Sequence, residues 1–571
     1  MPKTWLPSLL IFIVVGAIHG ISPVITLADS AWTVAVASSI IHEHNTDLNE
    51  YNPALRRDDW RVEHLPSGDY SYLPIGAPLL AVPFVWLAEK LAPWWFGITD
   101  LRTYFFQKPI GSIPGLIEHP LASLVVALTA VGIYAVARLR LSLPRALLLV
   151  FIFAFCTSAW STASRALWQH GPSMLMLTLA LWLLLKAQQT PKWAPYTALP
   201  LAMAYVIRPT NSLSVLILSF YVLLYFRRYF IRYCLWGLLI ALPFIAYNFS
   251  LYGALLSPYY QAGRIGATGQ LPTALLGNLI SPARGLFIYS PIFLFALFGA
   301  WLDWRRPALT MLPTPRLSMA LALIVTLHWL AISSFPHWTG GWSIGPRLFA
   351  DMTPYWVYFL IPVIANLPRP RSFGALTRLA PFGVALALSF FMHWHGASDQ
   401  NVDYWNRVPN DVDQHPARIW DWRDPPFMRG FGPALWMIEP DGLHYSDDAT
   451  HHLQRVALLL TSLDTSKTSL EIALPVGVTP ITDAAFEQQF TVASPSTAGL
   501  MVRTKESFGF KQKRRIELNF DPALWQLATQ QQPSLQILAK ATNIWWSRQT
   551  QVILPIGELD RQYNTIGEAS Q

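Results

Sequence analysis

The chain has 571 residues, of which 53% are hydrophobic and only 13% charged, and its mean hydropathy is +0.33. Soluble domains carry about 25% charged residues, so the composition excludes an ordinary soluble protein and points to a polytopic membrane protein. The net charge of +8 does not indicate a nucleic-acid partner, because the basic residues fall in short loops between apolar runs rather than on one patch.

The first run follows Lys3 and contains Leu9-Leu10-Ile11-Phe12-Ile13-Val14-Val15. It resembles a signal peptide, but no small-x-small cleavage site precedes Asp29, so it is read as an uncleaved first span. Apolar runs predict eleven spans: Trp5–Ser22, Leu121–Ala137, Ala146–Trp160, Ser173–Leu185, Ala194–Ile207, Leu213–Phe226, Leu235–Phe249, Leu286–Trp301, Met319–Ser333, Pro354–Ala365 and Leu379–His393. Several are shorter than the roughly 20 residues of a straight crossing.

Alternation from a cytoplasmic N-terminus places the basic loops inside, as the positive-inside rule requires. These loops hold Arg138, Arg140 and Arg145; Lys186 and Lys192; Arg227, Arg228 and Arg232; Arg305, Arg306 and Arg316; Arg369, Arg371 and Arg378. Counting Ile75–Leu91 as a further span would invert every later loop. It is therefore predicted to be an interfacial or re-entrant helix on the outer side, within a large outer loop over 23–120, ending at Glu89 and Lys90. Cys156 and Cys234 sit in apolar segments and imply no disulfide framework.

After the last span, 395–438 is a Trp- and Asp-rich linker. From about Glu439 onward, short runs such as Val456–Leu460, Leu470–Leu474, Ile516–Phe520, Leu535–Leu538 and Gln551–Leu554 predict strands. The expected fold is an all-α polytopic membrane domain (1–394) followed by a small β-sandwich-like extracytoplasmic domain (439–571).

Four arginines stand against the charge rule in short outer loops: Arg165, Arg208, Arg284 and Arg347. A guanidinium there costs desolvation unless paired, and its planar fork matches phosphate oxygens. Headgroup contact, or pairing with an outer acid such as Asp351, is the alternative for each. Asp29, just beyond the first span, is the candidate general base, since a carboxylate in reach can take the proton of an attacking hydroxyl. Its alternative role is to N-cap a helix beginning at Ser30. Tyr70, Tyr72, Trp338 and Trp342 are candidate lining residues. His170 and His337 lie near the arginines in sequence, with a structural role as the alternative. A metal at His42-Glu43-His44 with Asp47 is disfavoured, because histidines two apart do not share a helix face and no tetrahedral set is visible. No cofactor is expected.

The motifs occur in a definite order: an acid after the first span; Tyr70-x-x-Pro-x-Gly-x-Pro-Leu-Leu-x-x-Pro; Ser164-Arg-x-Leu-Trp-Gln-His-Gly; Arg208-Pro-Thr-Asn; Ser281-Pro-x-Arg-Gly-Leu-Phe-x-Tyr-Ser-Pro; and Trp338-x-Gly-Gly-Trp-x-x-Gly-Pro-Arg. Over about Met1 to Arg429 this set resembles the bacterial polytopic GT-C glycosyltransferases related to protein O-mannosyltransferases and lipid A aminoarabinose transferases. The resemblance implies a polyprenyl-phosphate-linked sugar as donor, chemistry on the extracytoplasmic side of a bacterial inner membrane, and a glycan, lipid or protein acceptor. It also implies a base at the position of Asp29. The chain departs from the common pattern in having Ser30, not a second acid, after Asp29. A transporter or lipid flippase is the second reading. It fits less well, because the charges gather at the two faces and no internal repeat is seen.

Overall fold

The computed structural model describes residues 5–26, 29–96, 114–261, 270–305, 315–368, 372–407, 411–430, 436–445, 453–462, 469–474, 478–493, 500–505, 513–520, 535–542 and 547–554. Residues 97–113 of the loop expected on the outer side, and Arg306, Arg369 and Arg371 of those expected inside, lie outside them. The chain divides into two compact units. One comprises Met1–Asp403 with Ile419–Trp422, the other Tyr404–Arg418 with Arg423–Gln571.

The first unit is helical. Its main helices are α1 (Trp5–Ile21), α2 (Thr33–His42), α3 (Gly76–Phe96), α4 (Pro114–Arg138), α5 (Leu143–Phe155), α6 (His170–Gln189), α7 (Ala198–Ile207), α8 (Ser212–Tyr225), α9 (Phe230–Tyr252), α10 (Phe293–Arg305), α11 (Pro315–Ser333), α12 (Thr353–Ala365) and α13 (Phe373–Ser398). Among the described residues, six helical segments are long and apolar enough to cross a membrane: Ile117–Arg138, His170–Gln189, Arg227–Tyr252, Arg316–Ser333, Arg347–Ala365 and Leu376–Ser398. The other five expected spans fall on α1, α5, α7, α8 and α10, of 17, 13, 10, 14 and 13 residues. At about 1.5 Å per residue none of these reaches across a hydrocarbon core of about 30 Å alone. Length and composition therefore account, among the described residues, for six of the eleven expected crossings.

Burial sorts these helices. The Arg347–Ala365 segment is 89% buried and forms the centre of the unit, whereas Arg227–Tyr252 is only 11% buried. The latter leaves Ile231, Leu235, Leu239, Leu242 and Phe249 exposed. An apolar face of that extent is stable in lipid and a liability in water. Around α12 the core gathers Leu149, Phe153, Leu177, Leu181, Phe293 and Leu321 from α5, α6, α10 and α11.

The segment between α1 and α4 folds on itself over its described part, 29–96. Strands β1 (Val62–Leu65) and β2 (Gly68–Ser71) form an antiparallel hairpin, and Arg56 pairs with Asp69 beneath it. Trp32 donates its Nε1–H to Asp59 at 2.9 Å, which in turn holds Arg61 at 2.7 Å. The helix expected over Ile75–Leu91 forms as α3. It runs on to Phe96 and packs along α2, with Ser38 and His42 reaching Glu89 at 3.1 and 2.9 Å. Helix α2 begins at Thr33 with Trp32 at its cap position, so Asp29 does not serve as its N-cap.

The second unit carries two antiparallel sheets. Its strands are β3 (Trp436–Tyr445), β4 (Leu453–Ser462), β5 (Ser469–Leu474), β6 (Val478–Pro480), β7 (Phe490–Ala493), β8 (Leu500–Thr504), β9 (Lys513–Phe520), β10 (Leu535–Thr542) and β11 (Ser547–Leu554). The sheet orders are β11-β10-β5-β8-β7 and β3-β4-β9-β6. Alternate residues are buried: Leu458 and Leu460, Ile472 and Leu474, Ile516 and Leu518. That is the period-two pattern of strands with one covered face.

Candidate functional site

Three local devices bring distant polar residues together. The Arg208-Pro209-Thr210-Asn211 turn leaves α7 with Arg208 extended, as a residue before proline prefers. Asn211 Nδ2 fixes it by donating to Ser173 Oγ and Ala204 O, both at 2.8 Å. The segment before Arg347 turns sharply through Gly340, Gly341 and Gly345, with φ of +74°, +61° and +66°. These left-handed values favour glycine. His170 opens α6 at the same level.

These turns converge on one charged cluster. Arg347 pairs with Asp29. It also donates Nε–H to His170 Nε2 at 3.2 Å and Nη1–H to Gly340 O at 3.2 Å. Its guanidinium lies 4.0 Å over the ring of Trp168, a favourable cation–π distance. His170 donates from Nδ1 to Asp351 Oδ1 at 2.9 Å. Its Nε2 is then the acceptor for Arg347, while Arg208 Nη1 lies against the ring edge, 2.6 Å from Nδ1 and 3.0 Å from Nε2. This arrangement fixes a neutral imidazole. Arg208 Nε stands 2.9 Å from Asp351 Oδ2 but sends its hydrogen to Thr210 Oγ1 at 3.0 Å. The cluster thus holds two guanidinium and two carboxylate charges around one neutral histidine.

Access is uneven. His170 and Asp351 are fully enclosed, and Arg208 and Arg347 are nearly so. Asp29 keeps 30% of its side chain exposed, so it is the charged group of the cluster most open to a ligand. Trp168 Nε1, on the ring beneath Arg347, and Thr26 Oγ1, three residues before Asp29, are buried with no hydrogen-bond partner among the described residues.

The other two arginines are held differently. Arg165 donates Nε–H to Trp160 O at 2.9 Å, Nη1–H to Ser22 O and Val24 O at 3.0 and 3.3 Å, and Nη2–H to His19 O and Ser164 Oγ at 2.7 and 2.8 Å. Five guanidinium hydrogens meet five protein acceptors. Arg284 donates to Thr339 O at 2.7 Å, Gly341 O at 2.8 Å and Ala283 O at 3.1 Å, so it braces the glycine loop that aims Arg347.

Of the candidate lining residues, His170 is within the cluster. Tyr70 is buried in β2, and Tyr72 packs edge-on against Tyr259 with ring centres 5.5 Å apart. Trp338 is buried and donates Nε1–H to Gln270 Oε1 at 3.2 Å, while Trp342 and His337 are exposed. Among the described residues no three His, Cys, Asp or Glu side chains group so as to hold a metal ion. Sequence reading named Asp351 only as a possible arginine partner and gave Trp168 no role; Trp168 stands in a motif already singled out, and Asp351 four residues beyond one.

No protein-family model matches the chain, and no curated protein matches it. Among solved structures, it is similar to the Archaeoglobus fulgidus oligosaccharyltransferase, crystallised in complex with zinc and sulfate. The identity is 14% and the TM-score 0.40, over 73% of this chain and 57% of that one.

Proposed function

We propose that the chain is an integral-membrane glycosyltransferase of GT-C type, which moves a sugar from a polyprenyl-phosphate donor to the hydroxyl of an extracytoplasmic glycan, lipid or protein acceptor. The observation that carries this reading is the pairing of the part-exposed Asp29 with Arg347, inside a cluster that also holds Arg208. A base and a cationic phosphate site side by side are what glycosyl transfer from a phosphodiester needs. The sequence reading expected both motifs on the outer side, from the charge of the loops between spans.

In the proposed reaction Asp29 takes the acceptor proton as the acceptor oxygen bonds to the anomeric carbon. The carbon–oxygen bond to phosphate breaks, its electron pair leaves on the phosphate, and the sugar inverts. Arg347 and Arg208 stabilise the charge that develops on the departing polyprenyl phosphate, the type of electrostatic contribution that is commonly largest in group transfer. Arg165 and Arg284 hold the loops that carry these groups. No metal is required in this scheme.

The test is transfer, or hydrolysis with water as acceptor, using undecaprenyl-phosphate-linked hexoses and pentoses and the detergent-purified full chain. Asp29→Asn keeps an acceptor for Arg347 but cannot take a proton, and is expected to lower turnover by about 10²–10⁴-fold with normal membrane insertion. Undiminished turnover by that variant removes Asp29 as the base. A transporter, by contrast, would move the lipid-linked sugar across a vesicle without releasing undecaprenyl phosphate.

A further inference from the structure

Between α5 and α6 the chain makes one π-helical turn, Ala159–Ala163, whose residues are all buried. Such turns occur mostly singly and frequently at functional sites. This one is held from two sides. Arg165 donates Nε–H to Trp160 O at 2.9 Å. On α13, the enclosed imidazole of His393 lies between two hydroxyls, with Nδ1 2.7 Å from Ser161 Oγ and Nε2 2.8 Å from Ser290 Oγ. Burying a ring with two polar nitrogens is costly unless both are bonded, and here both are.

From this fixed turn a side chain reaches the loop that carries Arg347. Thr162 donates its Oγ1–H to Ile344 O at 2.9 Å. Thr157 and Ser164, on either side, spend their hydroxyls on the carbonyl four residues back, as such side chains in helices do. Of the three, Thr162 alone reaches across the fold, to a residue 182 positions away. The receiving loop is tightly seated. A Cβ on Gly396 of α13 would stand 2.8 Å from Ile344 Cγ2 and 3.1 Å from Ser161 Cβ, and one on Gly345 would stand 2.7 Å from the Tyr289 ring. Arg347 then returns its backbone N–H to Gly345 O at 2.9 Å. The stretch from Ile344 to Arg347 is thus set against the π turn, α13 and Tyr289, with Thr162 supplying the hydrogen bond from the turn. Valine would fill the same space; what the hydroxyl adds is the bond to Ile344 O.

We propose that Thr162 is a positioning residue: its bond to Ile344 O sets the seat of the glycine loop, and so the place of the Arg347 guanidinium between Asp29 and His170. The inference rests on the glycosyl-transfer reading for its effect on turnover, and on the contacts above for its effect on the loop. Thr162→Ser keeps the hydroxyl donor; Thr162→Val keeps the shape and loses the donor.

Wild type, both Thr162 variants, Arg347→Ala and the double variant Thr162→Val with Arg347→Ala are compared as full-length protein in detergent. The activity is hydrolysis of undecaprenyl-phosphate-mannose and related hexose and pentose donors, and hydrogen exchange is followed in a peptide covering 338–350. Thr162→Val is expected to lose about 10–100-fold in kcat, the scale of a misplacement near 1 Å, with donor KM within about threefold. Thr162→Ser should keep kcat within about threefold of wild type. Because Thr162 acts through Arg347, adding Thr162→Val to Arg347→Ala should change kcat by less than about twofold, where independent effects would multiply. The peptide should exchange faster in Thr162→Val and at the wild-type rate in Thr162→Ser. The proposal is overturned if Thr162→Val keeps wild-type kcat, if Ser is as damaging as Val, if the two losses multiply in the double variant, or if exchange is unchanged. If wild type turns over no donor in the panel, the glycosyl-transfer reading fails, and the exchange data alone decide whether Thr162 holds the loop.

Discussion

Arg347 offers the sharpest test of the proposed chemistry, because one side chain makes four contacts with distinct purposes. It pairs with Asp29, donates to His170 and to Gly340 O, and lies on Trp168. Arg347→Ala removes a donor aimed at the site of charge development, a loss worth about 10²–10³-fold in kcat, or about 2.7–4 kcal/mol at 1.36 kcal/mol per decade. Arg347→Lys keeps a charge, but a single ammonium cannot fill the directions of the planar fork or stack in the same way, so roughly a tenfold loss is expected, by about one decade of the same scale. The assay is release of undecaprenyl phosphate from the donor panel, with kcat and KM separated. A falling kcat with near-constant KM is the mark of an interaction made in the transition state. Arg347→Ala with kcat within twofold of wild type would refute the assignment of this guanidinium to the leaving phosphate.

Other expectations follow from the surroundings of the site. Arg165→Lys leaves several backbone carbonyls in its cage without a donor, and should lower thermal stability by about 1–3 kcal/mol for unsatisfied buried groups, read as a lower melting temperature in detergent, with donor KM little changed. Gly345→Ala places a Cβ 2.7 Å from the Tyr289 ring at φ +66°; the left-handed conformation alone costs about 1–2 kcal/mol, and recovery of folded protein should fall. Burial alone would push the Asp59 carboxyl up, but hydrogen bonds from Arg61 and Trp32 outweigh it and hold the group below its ordinary range. Its folded value lies below its unfolded one, so its stabilisation is present above the ordinary carboxylate range and is lost as pH falls through the lowered folded value. Asp59→Asn should therefore flatten the acid limb of a melting-temperature profile.

Much of the helical unit was legible because each apolar run forms a helix, and the five strands named in the sequence form because alternation survives into the sheets. The lengths of the individual helices were less legible: five runs form helices of only 10–17 residues, and hydropathy does not register where a run leaves the helix. The β1–β2 hairpin escaped notice because its strands are four residues long and carry Glu63, His64 and Asp69, which mask alternation. At the site, Asp29, Arg208, His170 and Arg347 stood out as polar residues in loops expected on the outer side. What separates Arg165 from Arg347 could not be read, because the acceptors around Arg165 are carbonyls, which every residue owns, and those of Ser22, Val24 and His19 lie more than a hundred positions away.

The resting cluster suggests why the proposed base and the proposed phosphate site share a salt bridge. Two guanidinium and two carboxylate groups leave no net charge around the neutral His170, which suits a site shielded from water. A donor phosphodiester brings one negative charge and competes with Asp29 for Arg347. Asp351 cannot yield in the same way, because it is enclosed and tied to His170 at 2.9 Å. Asp29, with part of its side chain exposed, is the partner able to move. In the proposed cycle, donor binding draws Arg347 onto phosphate and releases Asp29 toward the acceptor hydroxyl, so the base becomes available only when a leaving group is in place. That order also limits wasteful hydrolysis: without donor, the carboxylate stays engaged by the guanidinium it must later surrender.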